Sequence, residues 1–344
     1  MTAPRRILVI QLRALGDVLL CTPALRQLRR AFPDARIDFL TTGVGRLVLD
    51  GNPRVDTVRL YRAGWGEGWR RFREIRAAGY GAVVDFNGIN RSAIVTRLSG
   101  APVRVGLHAR GTRTLAYTRS AGKEKGGAYS AWRKVNALRT LGIPVDDLDL
   151  DLELFPGAED HAWAEEEWRR LGLPRDTPVV AISGVSKIER KRWPAERWAR
   201  VADAVADGGF AVLLTHGPGE EAQVERIVEA ARHPLFRGHR PTTVRQLGAL
   251  YARCRLWIGN DGGPRHIAVA MGIPTLAVAR AGVGAAFTDT RPDSPHRFLE
   301  APRIPDTGVR AIQALAADTV VEAAVAFARE HTPGARGGTR GYGE

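Results

Sequence analysis

Cysteine is scarce in this chain, with only Cys21 and Cys254 among 344 residues. Two isolated cysteines build neither a disulfide framework nor a metal quartet. Both sit in helix-like apolar contexts, which reads as two small core residues and fits a reducing cytoplasm. Long apolar runs are lacking as well. Nothing approaches the ~20 apolar residues of a membrane-crossing helix. The nearest stretch, His266 to Ala279, is interrupted by Gly272 and Pro274. Ile7 to Ile10 is too short for the apolar core of a secretory signal. The expected location is therefore cytoplasmic, with any membrane contact peripheral and on the inner face. Several signatures are also missing: the Walker A pattern, a full GxGxxG after a strand, zinc-ligand spacing and a nucleophile elbow. No interleaved aromatic platform or familiar nucleic-acid module is present, so no nucleic-acid partner is expected.

Acidic residues run short in one half only. Residues 1–155 carry a formal charge of +12 and the remainder +2, within a total of +14. Nearly all the cations are Arg, and that habit does not explain the asymmetry. A basic half creates a field that attracts an anionic partner: an acidic membrane, a phosphorylated glycolipid or, were a binding module present, nucleic acid.

The length suits two domains. Ile7 to Gln11 reads as a strand. Val18, Cys21, Leu25, Leu28 and Phe32 then recur at helical steps. Ile37 to Leu40, Ala82 to Phe86 and Val103 to Gly106 read as further strands, with helical segments around Trp69–Ala78 and Ser92–Leu98. Pro144 and Pro156 bracket an acidic boundary, Asp146 to Leu154. Its Asp-x-Asp pairs, Asp147/Asp149 and Asp149/Asp151, could hold a divalent metal. Strict alternation with Leu148, Leu150, Leu152 and Leu154 fits an exposed strand face better. The second half repeats the alternation: strands at Val179–Ser183, Ala211–Thr215, Leu256–Ile258 and Thr275–Val278, and a last helix at Thr319–Arg329. The expected organisation is α/β throughout, with domains at 1–155 and 156–332 and a disordered Gly/Arg-rich tail at 333–344.

Four local motifs carry possible chemistry. Leu256 to Ile258 runs into Gly259-Asn260-Asp261-Gly262-Gly263-Pro264-Arg265-His266, with Pro264 at the expected first helical position. Unpaired N–H groups at such a helix start, with its dipole, attract an anion. A plain strand-to-helix turn explains the same residues. Ser186-Lys187-Ile188-Glu189-Arg190-Lys191-Arg192-Trp193-Pro194 follows another strand, where α/β sheets bind ligands. It reads as a diphosphate-neutralising loop or a solvated charge run. Arg13-Ala14-Leu15-Gly16-Asp17 offers either a general base or a helix cap in Asp17. Glu220 and Glu221, after His216-Gly217-Pro218-Gly219, suit ribose hydroxyls or a helix start.

Taken in order, these motifs resemble the ADP-heptose:lipopolysaccharide heptosyltransferase family. The opening Ile7 to Leu25 is similar to that family's first strand, Leu-Gly-Asp turn and Thr-Pro helix. Tyr80 to Gly106 resembles its middle segment. Lys191-Arg192-Trp193-Pro194 matches its Lys-x-Trp-Pro signature, and Gly259 to His266 with Gly272 and Pro274 matches its late donor motif. The resemblance implies a GT-B architecture, two Rossmann-like domains facing across a cleft, with acceptor in the first and nucleotide sugar in the second. It implies inverting, metal-independent transfer with no cofactor, the nucleotide-diphosphate sugar being a substrate. Carried over by position, Asp17 is the catalytic base, with Arg13 and Gly16 on the acceptor side. Lys191, Asp261, Gly262 and Gly263 hold diphosphate and sugar, with His266 behind. Ser186 and Lys187 flank the phosphates, and Glu220 or Glu221 takes the ribose. The implied acceptor is an anionic glycan or glycolipid, such as the lipopolysaccharide inner core. A nucleotide-sugar epimerase or hydrolase of the same fold, or a non-catalytic sugar-nucleotide-binding protein, is the competing reading. One departure stands out: Gly262 replaces the family's usual Thr or Ser.

Overall fold

The computed structural model describes residues 3–62, 65–107, 110–122, 129–145, 149–303 and 312–332. The expected tail at 333–344, and Asp147 of the acidic boundary, lie outside the described residues. The chain divides into two units, Met1–Gly157 and Ala158–Glu344.

The first unit is built on a six-stranded sheet: β1 (Arg6–Ile10), β2 (Arg36–Thr41), β3 (Thr57–Leu60), β4 (Ala82–Asp85), β5 (Val103–Gly106) and β6 (Arg119–Ser120). Its order is β3-β2-β1-β4-β5-β6, and every pairing is parallel. The central strands are apolar along their length because helices cover both faces of such a sheet. Ile7, Leu8, Val9 and Ile10 have no exposure, and each such side chain contributes about 1.5–3 kcal/mol. The chain order reverses between β1 and β4, which opens a crevice at their carboxyl ends.

The second unit has a five-stranded parallel sheet: β7 (Val179–Ser183), β8 (Ala211–Leu214), β9 (Leu256–Asn260), β10 (Thr275–Ala279) and β11 (His296–Glu300). Here the order is β11-β10-β9-β7-β8, so the reversal falls between β7 and β9. Helix Ala195–Asp207 packs Trp198, Val201, Ala202 and Val205 onto the sheet, the face its spacing predicts. Both thiols are buried, and that burial pushes Cys21 and Cys254 up to about 12.

Two local expectations need correction. The single helix expected from Val18 to Phe32 is two, Leu15–Leu19 and Thr22–Ala31. Pro23 has no N–H to continue the first, and the Thr22 hydroxyl instead donates to Leu19 O at 2.7 Å. Among its described residues, 149–154, the acidic boundary is no strand. Its alternation is real, with Leu150, Leu152 and Leu154 buried. Buried Arg26, rather than a neighbouring strand, holds the polar side. It donates to the carbonyls of Asp149 and Asp151 at 3.1 and 3.0 Å and pairs with the Asp149 and Glu153 carboxylates at 2.8 and 2.9 Å.

Glu167, on helix Ala158–Arg170, has no exposure and binds the Arg170 guanidinium at 2.6 and 3.0 Å. It also accepts from the Arg240 amide and guanidinium at 2.7 and 2.6 Å. Burial alone would push this carboxyl up. The hydrogen bonds from Arg170 and Arg240 outweigh it and hold the pKa at about 2. A depressed folded-state value stabilises the fold above the ordinary glutamate range and is lost as pH falls toward 2. Glu167→Ala is expected to destabilise the protein by about 1–3 kcal/mol, since it removes charge-assisted hydrogen bonds to two guanidiniums that stay half exposed, Arg240 keeping Glu166 at 3.3 Å. Denaturant titration at neutral pH checks the loss, and the variant's deficit should shrink in titrations at successively lower pH.

Candidate functional site

The reversal in the second sheet places two loops side by side. β7 ends at Ser183 beside Gly259 of β9. A Cβ on Gly259 would sit 2.5 Å from Ser183 O, so this glycine is required by the close approach of the two strands. Gly262 differs. Its backbone is extended (φ −175°), and a Cβ there would meet nothing closer than 3.8 Å. It caps helix Gly263–Ala270 without a side chain, and Pro264 takes the second helical position rather than the expected first.

Asp261 is fixed from several directions. Its N–H donates to Val278 O at 3.0 Å, and its Oδ1 lies 3.3 Å from Arg265 Nη1. Arg265 is fully buried and donates on to Thr288 Oγ1 at 2.6 Å. The Lys191 ammonium donates to Asp261 O at 3.0 Å and stands 3.9 Å from Oδ2. Lys191, Asp261, Val278, Arg280 and Ile312 line a small recess there. Arg280 extends from the end of β10, and its buried Nε finds no hydrogen-bond partner among the described residues. Such an unmet donor costs about 1–3 kcal/mol, a penalty that a bound anion would relieve. Sequence reasoning missed Arg265 and Arg280 because neither side chain shows in advance that it folds inward.

The loop after β7 spans from this recess toward β8. Trp193 is buried, donates its indole N–H to Leu315 O at 3.1 Å and meets Trp198 edge-on at 5.0 Å. Pro194 then caps helix Ala195–Asp207. The Trp-Pro pair therefore anchors the loop that carries Lys191. Arg192 Nε donates to Ser186 O at 2.6 Å, and Ser186 N–H donates to Gln223 Oε1 at 3.2 Å. Lys187 lies near enough to Glu221 to help lower its carboxyl, after the larger effect of the Glu221 and Gly219 amides. The two acidic candidates differ. Glu220 is buried and accepts the Gly217 N–H at 2.7 Å, whereas Glu221 stays exposed. His266 is buried and edge-on to Phe287 at 6.0 Å, behind the turn.

In the first unit, Asp17 is half-buried on helix Leu15–Leu19, just past β1 at that sheet's reversal. Its Oδ2 accepts the Ala14 N–H at 3.1 Å. Arg13 is exposed and Gly16 buried. The loop after β4 supports this segment, because Asn87 Oδ1 accepts the Leu12 N–H at 3.0 Å. That loop is pinned in turn by Asp85, whose Oδ1 accepts the Asn87 and Gly88 N–H groups at 2.9 and 3.0 Å. Tyr117 donates to Asp85 Oδ2 at 2.7 Å, and burial raises the Asp85 carboxyl despite these bonds. Asp85 was not singled out from sequence, where it ends an ordinary apolar strand.

The sequence profile of glycosyltransferase family 9 (heptosyltransferase) matches residues 69–282. The chain is 26% identical over 282 residues to lipopolysaccharide heptosyltransferase 3 of Escherichia coli K12, a match spanning 76% of this chain and 79% of that protein. Its fold matches the crystal structure of a family 9 glycosyl transferase from Veillonella parvula with a TM-score of 0.81 and 25% identity, covering 95% of this chain and 97% of that one. It also matches an Escherichia coli heptosyltransferase solved with ADP, at a TM-score of 0.68 and 21% identity, covering 95% and 99%.

Proposed function

The chain belongs to glycosyltransferase family 9, the heptosyltransferases, and we propose that it transfers a heptose from ADP-heptose, with inversion and without a metal ion, to an anionic glycolipid of the lipopolysaccharide inner core. The carrying observation is the Lys191 ammonium held on Asp261 beside Arg280, at the carboxyl ends of β7, β9 and β10. Two cations at a helix start that no side chain caps suit a diphosphate that gains charge as its bond to the sugar breaks. Fixed protein charge then does what a divalent cation does in other transferases.

In this reading Asp17 takes the proton of the acceptor hydroxyl. The acceptor oxygen bonds to the anomeric carbon, and the carbon–oxygen bond to the diphosphate breaks. The nucleotide diphosphate leaves against Lys191, Arg280 and the N–H groups at Gly262 and Gly263. Ser186 and Lys187 serve the phosphates, and Glu221, which is exposed although it also accepts the Gly219 N–H, serves the ribose better than buried Glu220. His266 supports the turn from behind. ADP is present in one structural neighbour, and a lipopolysaccharide heptosyltransferase is among the sequence relatives. Both support donor and acceptor.

A panel of nucleotide sugars and acceptors read by mass spectrometry tests the proposal. The expected product is an inner-core acceptor heavier by one heptosyl unit, formed with ADP-heptose and added chelator. Sugar release or epimerisation without any acceptor would overturn it.

Gly262 gives a sharper test of the donor end. A hydroxyl residue fits, because a Cβ meets nothing closer than 3.8 Å. Gly262→Thr restores a cap and adds one donor to the diphosphate cradle. The expected result is an unchanged or slightly higher melting temperature and donor affinity improved about fivefold, the equivalent of one added hydrogen bond. Isothermal calorimetry with a non-hydrolysable donor measures it.

A further inference from the structure

Away from the residues proposed for chemistry, two packed segments of the first unit expose apolar side chains among arginines. From Phe86 to Lys123 the chain has no Asp or Glu and six arginines. Helix Asn90–Leu98 buries Ser92, Ala93, Val95 and Thr96 and leaves Arg91, Ile94, Arg97 and Leu98 exposed. Ile94 and Leu98 are four residues apart, on one helical face. The 3-10 turn Gly111–Ala116 packs against this helix and exposes Leu115 to 77%, the most of any large apolar residue described. Arg110, at the start of that turn, is exposed too.

The arginines are crowded rather than neutralised. Arg91, Arg97, Arg104 and Arg110 form no ion pair with a described carboxylate. Arg104 is held by Ala101 O and Ala116 O at 2.6 and 2.8 Å. Burial, and then the nearby Arg97 charge, lower its pKa. A surface that only needs solubility mixes both signs and scatters its apolar side chains. This one gathers exposed apolar groups within charge of a single sign.

We propose that helix Asn90–Leu98 and the turn Gly111–Ala116 form the face by which the protein docks on an anionic lipid bilayer. Ile94, Leu98 and Leu115 enter the acyl boundary, while Arg91, Arg97 and Arg110 meet lipid phosphates. A polyanion such as nucleic acid would satisfy the arginines and leave the apolar side chains in water. The face is tied to the Asp17 segment: Arg113 donates to Gly88 O, and neighbouring Asn87 accepts the Leu12 N–H. Docking itself does not rest on the proposed transfer reaction.

Vesicle co-sedimentation of the full chain tests this. Phosphatidylglycerol-containing vesicles should capture the protein at low salt and pure phosphatidylcholine vesicles should not. Ile94→Ser with Leu115→Ser, and separately Arg97→Gln with Arg110→Gln, should each weaken capture about tenfold or more. All four positions are solvent-facing, so both variants should keep the native circular dichroism spectrum and full turnover on a short soluble acceptor. Failure of the native protein to bind acidic vesicles at low salt would overturn the proposal. So would capture that survives both variants, or capture that depends on the arginines alone. Binding to duplex DNA without binding to vesicles would assign the face to a polyanion instead.

Discussion

Asp17→Asn is expected to lower turnover by about 10²–10⁴-fold while leaving fold and donor affinity intact. The physical case rests on what asparagine keeps and what it loses. Its side-chain oxygen still accepts the Ala14 N–H that Asp17 Oδ2 takes at 3.1 Å, so the start of helix Leu15–Leu19 survives. It cannot take a proton from an acceptor hydroxyl. A residue that is only a cap behaves in the opposite way: Asn is silent, and Ala removes about 1 kcal/mol of stability with unchanged turnover. Steady-state kinetics at saturating substrates, with a melting curve for each variant, separates the two. Wild-type turnover in Asp17→Asn would remove Asp17 from the chemistry.

Lys191→Ala carries the second large effect, a fall in kcat of about 10²–10³-fold. The ammonium stands 3.0 Å from Asp261 O at the mouth of the recess, and the loop that carries it is locked by Trp193. Its charge matters most when the leaving diphosphate is most negative, so kcat should fall further than donor affinity. Lys191→Arg should rescue only in part, because a planar guanidinium cannot reproduce a compact ammonium seated on one carbonyl. If Lys191 serves merely to clamp Asp261, the variant will melt earlier and turn over normally. The ratio of the change in kcat to the change in donor affinity, measured by stopped-flow single turnover, decides.

Much of this architecture was legible because buried parallel strands announce themselves. β1, β4, β7, β9 and β10 are short apolar runs bounded by turns. Two edge strands were not: β11 (His296–Glu300) contains His296, Arg297 and Glu300, and β6 is two residues long. An edge open to water loses the apolar run, whereas β8, at the other edge of its sheet, keeps one because Leu213 there is bridged by Phe236. At the site, the order of motifs placed Lys191 and Asp261 near each other in expectation, and they are in contact. What surrounds them was hidden. Arg265, in sequence one more residue of the glycine turn, is fully buried, its Nη1 and Nη2 engaged by Asp261 and Thr288. Arg240 reaches Glu167 from 73 residues away, a pairing that no local spacing reveals. Long side chains choose partners in three dimensions, and a linear pattern carries no trace of that choice.

The two buried thiols bear on how the protein can be watched at work. With Cys21 and Cys254 sealed in the core and held as neutral thiols at physiological pH, the native chain presents no reactive thiol to a maleimide. A fluorophore or spin label could then be attached at one engineered surface cysteine without first removing the native pair. Pairs of such labels, one on each unit, would record distances through the catalytic cycle in an otherwise unaltered sequence.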